Sequence, residues 1–387
     1  MLTLVSTLFG AGLLFIVAYD VYATILHARA RAGPISDKLN RGVWRVARFV
    51  AFKFPRPRRH RLLNTIGPLL LPLLITTYII ALVIGFALIY LPRMPVEFSV
   101  DREAVSPVWI ESIYFSSVTL TTVGYGDIVP RSTGMRLTAL LESATGIALI
   151  SLAVTYLITV FGALERKRAV ALSFYHQAEE GADVAGFIAH HFVGGRFYGL
   201  ESTLRYAARD IQGLSESHAE HPVIHYFHPV EVHKSLPRVL FLVLETCAVI
   251  QSCLDADDYI ETHSHPEVRI LEASAHYVLN QLIASLCLER SAEESHAETP
   301  FEESRRWRQR FNETMERLTD AGIKVRRNRR AGWEKYSARR ESWERKLYLF
   351  SAYLGYDWDE ITGDRDLRYA ADEEMEEPQV ETINAEG

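Results

Sequence analysis

Thr122-Val123-Gly124-Tyr125-Gly126-Asp127 is the stretch on which the reading of this 387-residue chain turns. It follows an amphipathic run from Trp109 to Thr121 and lies between two hydrophobic stretches long enough to cross a membrane. Successive carbonyls along a strand can face one way only if alternate residues take left-handed backbone angles. Glycine adopts these without strain, and Gly124 and Gly126 supply the alternation. Each residue from Thr122 to Gly126 then aims a carbonyl at one axis, and Thr122 adds a hydroxyl. Irregular backbone at membrane depth survives only where protein buries it or a water-filled cavity solvates it. The pattern predicts a re-entrant helix over 108–121 and an oxygen-lined strand over 122–127.

The run before the strand reads Glu111-Ser112-Ile113-Tyr114-Phe115-Ser116-Ser117-Val118-Thr119-Leu120-Thr121-Thr122. With its aromatics, its hydroxyls and the TVGYGD string, the chain resembles the potassium-channel superfamily over about residues 64–166. The resemblance implies that Thr122, Val123, Gly124, Tyr125 and Gly126 form a selectivity filter whose oxygens replace the water shell of K⁺, the permeant ion. It implies filter support from Asp127, Tyr114 and Thr121. Gly146 takes the place of a hinge glycine, and the inner helices would close around Thr155, Ile158 and Gly162. The filter string occurs once, so four copies must surround the pore as a homotetramer. Two departures stand out. Val118 occupies a position where some members carry a glutamate that pairs with the filter aspartate, which leaves Tyr114 as the expected partner of Asp127. Ile150 replaces the acid of inward rectifiers, so strong block by internal polyamines is not expected.

Three segments are apolar enough and long enough to span: about 2–26, 66–91 and 137–164. Arg29 to Arg61 is dense in Lys and Arg with Asp37 as its one acid, and Glu165-Arg166-Lys167-Arg168 follows the third span. Basic loops stay cytoplasmic. The N-terminus is therefore expected outside and the C-terminal domain inside a cell membrane crossed several times. No span carries arginine at every third position, so no built-in voltage sensor is expected. Asp20 and Glu142 are carboxylates within spans, where such a group costs about 2.5–3.5 kcal/mol on insertion scales. Glu142 is expected to be buried against pore-helix hydroxyls, and Asp20 to reach the interface or pair with the basic loop.

Lys38, Arg41, Arg45 and Arg48 recur at helical spacing, with Leu39, Val43, Val46 and Val50 on another face. This predicts an amphipathic helix on the inner leaflet, facing membrane lipids, with anionic lipid met by the cations of residues 38–48.

The fold class expected is an all-α membrane protein. It has three transmembrane helices per chain, a re-entrant pore helix and filter, and an all-helical cytoplasmic domain. The divisions are an extra N-terminal helix (1–28), a basic linker (29–63), a pore domain (64–168), a helical domain (169–363) and an acidic tail (364–387) expected to be disordered. Within the pore domain the outer helix covers 66–91, the pore helix 108–121, the filter 122–127 and the inner helix 135–164.

In the helical domain Leu236 to Leu254 and Val268 to Leu288 lack strand alternation and read as buried helices. Pro222, Pro229, Pro237 and Pro266 mark helix starts or loops. No strand followed by G-x-G-x-x-G marks a Rossmann regulator, and the many strands of a cyclic-nucleotide roll are missing. No organic cofactor is expected.

His218, His221, His225 and His228 fall in one short stretch and are candidate metal ligands, a proton sensor, or simply surface and capping histidines. Cys247, Cys253 and Cys287 lack metal spacing and are expected as buried free thiols. Arg305, Arg306, Arg308, Arg310 and Arg326 to Arg330 form basic clusters interleaved with acids in a chain of net charge −6. Solvated faces fit these better than nucleic acid. The leading function is a passive potassium channel, not an enzyme, gated by an unknown signal through the helical domain. The alternatives are a membrane-anchored metal-binding or enzymatic protein, and a scaffold that recruits partners.

Overall fold

The computed structural model describes residues 2–27, 33–100, 107–178, 183–288 and 301–363. The tail 364–387 lies outside them. Two compact units emerge, residues 1–165 with 217–228, and residues 166–216 with 229–387.

The first unit opens with α1 (Leu2–Val21), which ends in a π turn (Tyr22–Leu26), followed by α2 (Pro34–Ala51) and α3 (Arg56–Tyr90). A short α4 (Met94–Glu97) leads into β1 (Phe98–Val100), then α5 (Val108–Leu120), β2 (Ile128–Pro130) and α6 (Thr133–Gln177). β1 and β2 pair antiparallel, Ser99 opposite Val129. α3 begins ten residues before the expected outer helix because Pro55 ends the preceding turn and Arg56 starts a helix that runs straight into the apolar stretch. α6 likewise overruns the expected 135–164 at its C-terminal end, since nothing between Leu164 and Gln177 breaks a helix.

Helix association in lipid rests on close packing and small residues rather than on water exclusion. α1 meets α3 where Gly10 faces Gly85. A Cβ on Gly10 would lie 2.5 Å from the Gly85 carbonyl oxygen. α5 is held by two apolar clusters. Val17, Tyr78, Leu82, Leu120 and Leu149 form one; Phe86, Tyr90, Phe98, Phe115 and Met135 belong to the other. In the second, Tyr90, Phe98 and Phe115 meet edge to face with centroids 5.1–5.6 Å apart, the arrangement aromatic quadrupoles favour.

Asp20 meets the basic linker, as expected, but through main chain: among the described residues no basic side chain pairs with it. Its carboxylate accepts hydrogen bonds from the backbone N–H groups of Ile35 (2.6 Å) and Ser36 (3.2 Å) and from the Tyr78 hydroxyl (2.6 Å). It therefore caps the N-terminus of α2, where unpaired N–H groups and the helix dipole favour an anion. The π turn brings Thr24 round to accept from the Gly33 N–H.

The face of α2 that packs on protein is a third one, distinct from the valine face and the basic face. Ser36, Asn40, Trp44, Ala47 and Ala51 are buried, while Val46 and Phe49 stay about two-thirds exposed. Trp44 lies between the apolar and basic faces, and its large ring makes that intermediate stripe the one worth burying.

The second unit contains α7 (Val184–His190), a small hairpin of β3 (Phe192–Val193) and β4 (Arg196–Phe197), and α8 (Leu200–Glu220), whose last turn belongs to the first unit. It continues with α9 (Leu236–Cys253), α10 (Ile260–His263), α11 (Pro266–Ser285), α12 (Phe301–Asp320), α13 (Arg329–Leu354) and α14 (Trp358–Thr362). α9 is apolar enough to cross a membrane but is buried almost throughout inside this bundle, against α7, α11 and α13. Ser235 caps it by accepting from the Arg238 N–H at 3.3 Å, and Pro237 sits in its first turn where no N–H is missed.

Glu245 on α9 ties the bundle to α13. It accepts from Arg340 (3.0 Å) and the Tyr336 hydroxyl (2.5 Å), and Arg340 also pairs with Glu344. Cys247 and Cys253 are buried free thiols, and burial pushes both well above the ordinary thiol range. Cys287 is exposed instead: it follows the end of α11 with a φ of 57°, where the chain turns outward.

Candidate functional site

The site is built where α5 ends. Thr121 closes the helix by donating its N–H to Ser117. The Val118 carbonyl then accepts N–H groups from both Val123 (2.9 Å) and Gly124 (3.2 Å), so the first residues beyond the helix are laced to its last turn. Backbone φ is 61° at Thr122, 55° at Gly124 and 80° at Gly126. The left-handed alternation therefore starts one step earlier than the glycines alone indicate. A β-branched residue rarely holds such an angle, and the hydrogen bond from Thr122 N–H to the Thr119 carbonyl (3.1 Å) helps fix it.

Residues Thr121 to Gly126 are all exposed within one chain, Tyr125 by 72%. A Cβ at Gly124 or Gly126 would meet nothing within 4 Å. Asp127, half-buried, accepts a hydrogen bond from the Tyr114 hydroxyl at 2.9 Å, which anchors the end of the strand to α5. At the same mouth the Arg131 N–H donates to the Glu97 carbonyl, and Ser132 bonds the Glu97 carboxylate.

Behind the strand sits Glu142 on α6, fully buried. It accepts from the Ser116 hydroxyl of α5 at 2.5 Å and the Tyr90 hydroxyl of α3 at 2.8 Å. Two donors from two helices stabilise one carboxylate in an apolar setting, where an unsatisfied one costs far more. One turn further, Gly146 lets α6 touch the end of α5: a Cβ there would lie 2.0 Å from the Leu120 carbonyl oxygen. α6 passes through Gly146 as uninterrupted helix. Thr155, Ile158 and Gly162 are exposed in the single chain at helical spacing of three and four, on one uncovered face of α6.

The histidines do not gather as a foursome. His218 Nδ1 lies 2.9 Å from His225 Nδ1, and His228 Nε2 lies 2.8 Å from Nδ1 of His60, a residue the sequence did not single out. His221 packs edge-on against Tyr156. Among the described residues no group of three or more His, Cys, Asp or Glu is placed to hold a metal. The segment 217–228 forms a strap within the first unit instead. Its Tyr226 and His228 meet Trp44, its Phe227 lies against Gly67 and Phe161, and its His228 carbonyl accepts from Asn64.

A helix that enters an apolar helical frame and ends in a strand of alternating left-handed backbone, backed by a second helix, defines the pore of an ion channel. The comparisons agree. The family model described as Ion channel matches residues 73–163. The potassium channel protein kcv of Paramecium bursaria Chlorella virus 1 is 32% identical over 74 residues, 19% of this chain and 79% of its own. Human potassium voltage-gated channel subfamily A member 7 is 35% identical over 80 residues, 21% of this chain but only 15% of that protein. The uncharacterized membrane protein YdjJ of Bacillus subtilis (strain 168) is 30% identical over 245 residues, 62% of this chain and 68% of its own. No solved structure matches. The chain belongs to the potassium-channel superfamily, by virtue of its pore module, and is a membrane protein.

Proposed function

We propose that this chain is the subunit of a potassium-selective channel that conducts passively as a homotetramer. The observation that carries the reading is the backbone alternation at Thr122, Gly124 and Gly126 in a strand that its own chain leaves uncovered. Four such strands around an axis supply rings of carbonyl oxygen in place of the water around K⁺. The uncovered face of α6 carrying Thr155, Ile158 and Gly162 then lines the cavity below.

Three spans fit this arrangement: α1, α3 and α6, with α5 re-entrant. The basic linker and the run after Glu165 favour a cytoplasmic side for α2 and the helical domain, and an outer position for the N-terminus. The exposed Val46 and Phe49 of α2 suit the inner leaflet. Gating through the helical domain is supported by the strap. Residues 217–228 belong to the pore unit, where they meet Trp44, His60 and Gly67, while the chain on either side belongs to the bundle, so the bundle is joined to the pore unit by this segment as well as by α6.

The test is ion flux into liposomes holding the purified protein. K⁺ and Rb⁺ should pass far faster than Na⁺, and Gly124→Ala or Gly126→Ala should abolish the flux. Equal Na⁺ and K⁺ flux would remove the selectivity reading, and a monomer or dimer by native mass spectrometry would remove the tetramer.

A further inference from the structure

Two basic clusters far apart in sequence meet in the fold. Several of their members are occupied with structure. Arg310 donates to the Thr362 carbonyl (2.7 Å), and Arg326 donates to the carbonyls of Ser252 (3.0 Å) and Gln251 (3.2 Å). Arg308 from α12 and Arg329 and Arg330 from α13 are not spent this way. They are exposed, and they line one groove of about 590 Å³ together with Phe311, Trp333 and Glu334. That volume is in the range that holds a small organic ligand.

The groove has two chemically distinct parts. One is cationic. Arg330 pairs with exposed Glu334 at 3.1 Å, but neither Arg308 nor Arg329 has an ion pair among the described residues. α13 also opens here with two arginines and no acid in its first turn, the charge order its dipole disfavours. A bound anion would reverse that penalty, and guanidinium forks fit phosphate oxygens two at a time. The other part is aromatic. Phe311, buried, braces the half-buried Trp333 edge to face at 5.9 Å and 69°, so the indole is held still. Arg308 stacks on it at 4.8 Å, and would exchange that contact for phosphate when a base takes its place.

We propose that this groove binds a soluble nucleotide, its phosphates held by Arg308, Arg329 and Arg330 and its base stacked against Trp333. A phosphorylated lipid headgroup offers the same anion without the ring, and the indole is the feature that favours the nucleotide.

The experiment is calorimetric titration of the full-length protein in nanodiscs with ATP, inorganic triphosphate and adenosine. Saturable binding of one ATP per chain is expected. Arg308→Gln/Arg329→Gln should weaken ATP and triphosphate about tenfold or more, the loss for charge-assisted hydrogen bonds. Trp333→Ala should weaken ATP and leave triphosphate unchanged. Both sites are exposed enough that the thermal melt of the variants should match the parent, which separates lost binding from lost fold. The proposal is overturned by the absence of saturable ATP binding at millimolar concentration, or by unchanged affinity in the double arginine variant. It is equally overturned if triphosphate matches ATP and Trp333→Ala is silent, which leaves an anion site only. ATP binding should be the same in neutral and in anionic nanodiscs; its loss in the anionic ones assigns the groove to headgroups and overturns the soluble source.

Discussion

Gly146 and Leu120 are in such close approach that a single methyl group on the glycine would stand 2.0 Å from the leucine carbonyl oxygen. The inner helix therefore bears directly on the last turn of the pore helix, two residues before the filter. This gives Gly146 a packing role, whether or not it also serves as the hinge that the resemblance implies. Gly146→Ala should push the two helices apart at a cost of about 1–3 kcal/mol. The measurement is the thermal melt of the assembled protein with Rb⁺ flux alongside. A hinge alone would tolerate alanine in the closed state with an unchanged melt.

Glu142 makes a second bond between the same helices, one turn away. Glu142→Ala leaves the buried Tyr90 hydroxyl without its acceptor, at roughly 1–3 kcal/mol, while Ser116 keeps the Val83 carbonyl at 3.0 Å. Glu142→Gln keeps one carbonyl oxygen and should cost less. A double-mutant cycle with Tyr90→Phe should show coupling, since the two share one hydrogen bond at 2.8 Å. Additive melts would argue that the bond contributes nothing.

The strap should loosen in acid. The imidazole pairs His60–His228, 2.8 Å apart, and His218–His225, 2.9 Å apart, tie it down, and His221 lies between them in the chain. Burial lowers His221 below the usual imidazole range, although Glu220 pulls the other way. A group depressed on folding binds more protons when released, so its contribution is complete above the ordinary value of about 6.5 and fades as pH falls below it. Hydrogen exchange across residues 217–228 should be slow at about pH 8 and much faster near pH 5.5. Equal exchange at both would refute this.

In the helical bundle, Arg340→Ala strands Glu245 and Glu344 as buried carboxylates without their cation. The loss should reach about 3–5 kcal/mol, read from chemical unfolding of the bundle. Arg340→Met combined with Glu245→Gln and Glu344→Gln should recover a large part of it, because neither partner is then left as an unpaired charge.

What could be seen in the amino-acid sequence was local. The TVGYGD string, the alternation of hydroxyls and aromatics before it, and the apolar length of the spans all act over a few turns of chain. The helix expected over 108–121 is found over Val108–Leu120. The partners that hold the site come from far away. Ser116 and Glu142 are 26 positions apart, Tyr90 and Glu142 are 52, and His60 and His228 are 168. No periodicity links such residues. A carboxylate inside an apolar span was the one signal that pointed to such a partnership, and it served for Glu142. For Asp20 the same signal pointed to the basic linker but not to the atoms that meet it, because main-chain N–H groups leave no mark in a sequence. Trp44 was similarly ambiguous: helical spacing assigns a stripe to each residue but not the stripe that a neighbour will cover.

The strap changes what counts as the smallest working piece of this molecule. Cutting the chain after α6 discards twelve later residues that cover Trp44 of α2 and the first turns of α3. Trp44 and His60, both almost inaccessible in the intact fold, would then meet solvent. A stripped-down pore would begin life with an oily wound, and its behaviour would report on that damage as much as on the filter.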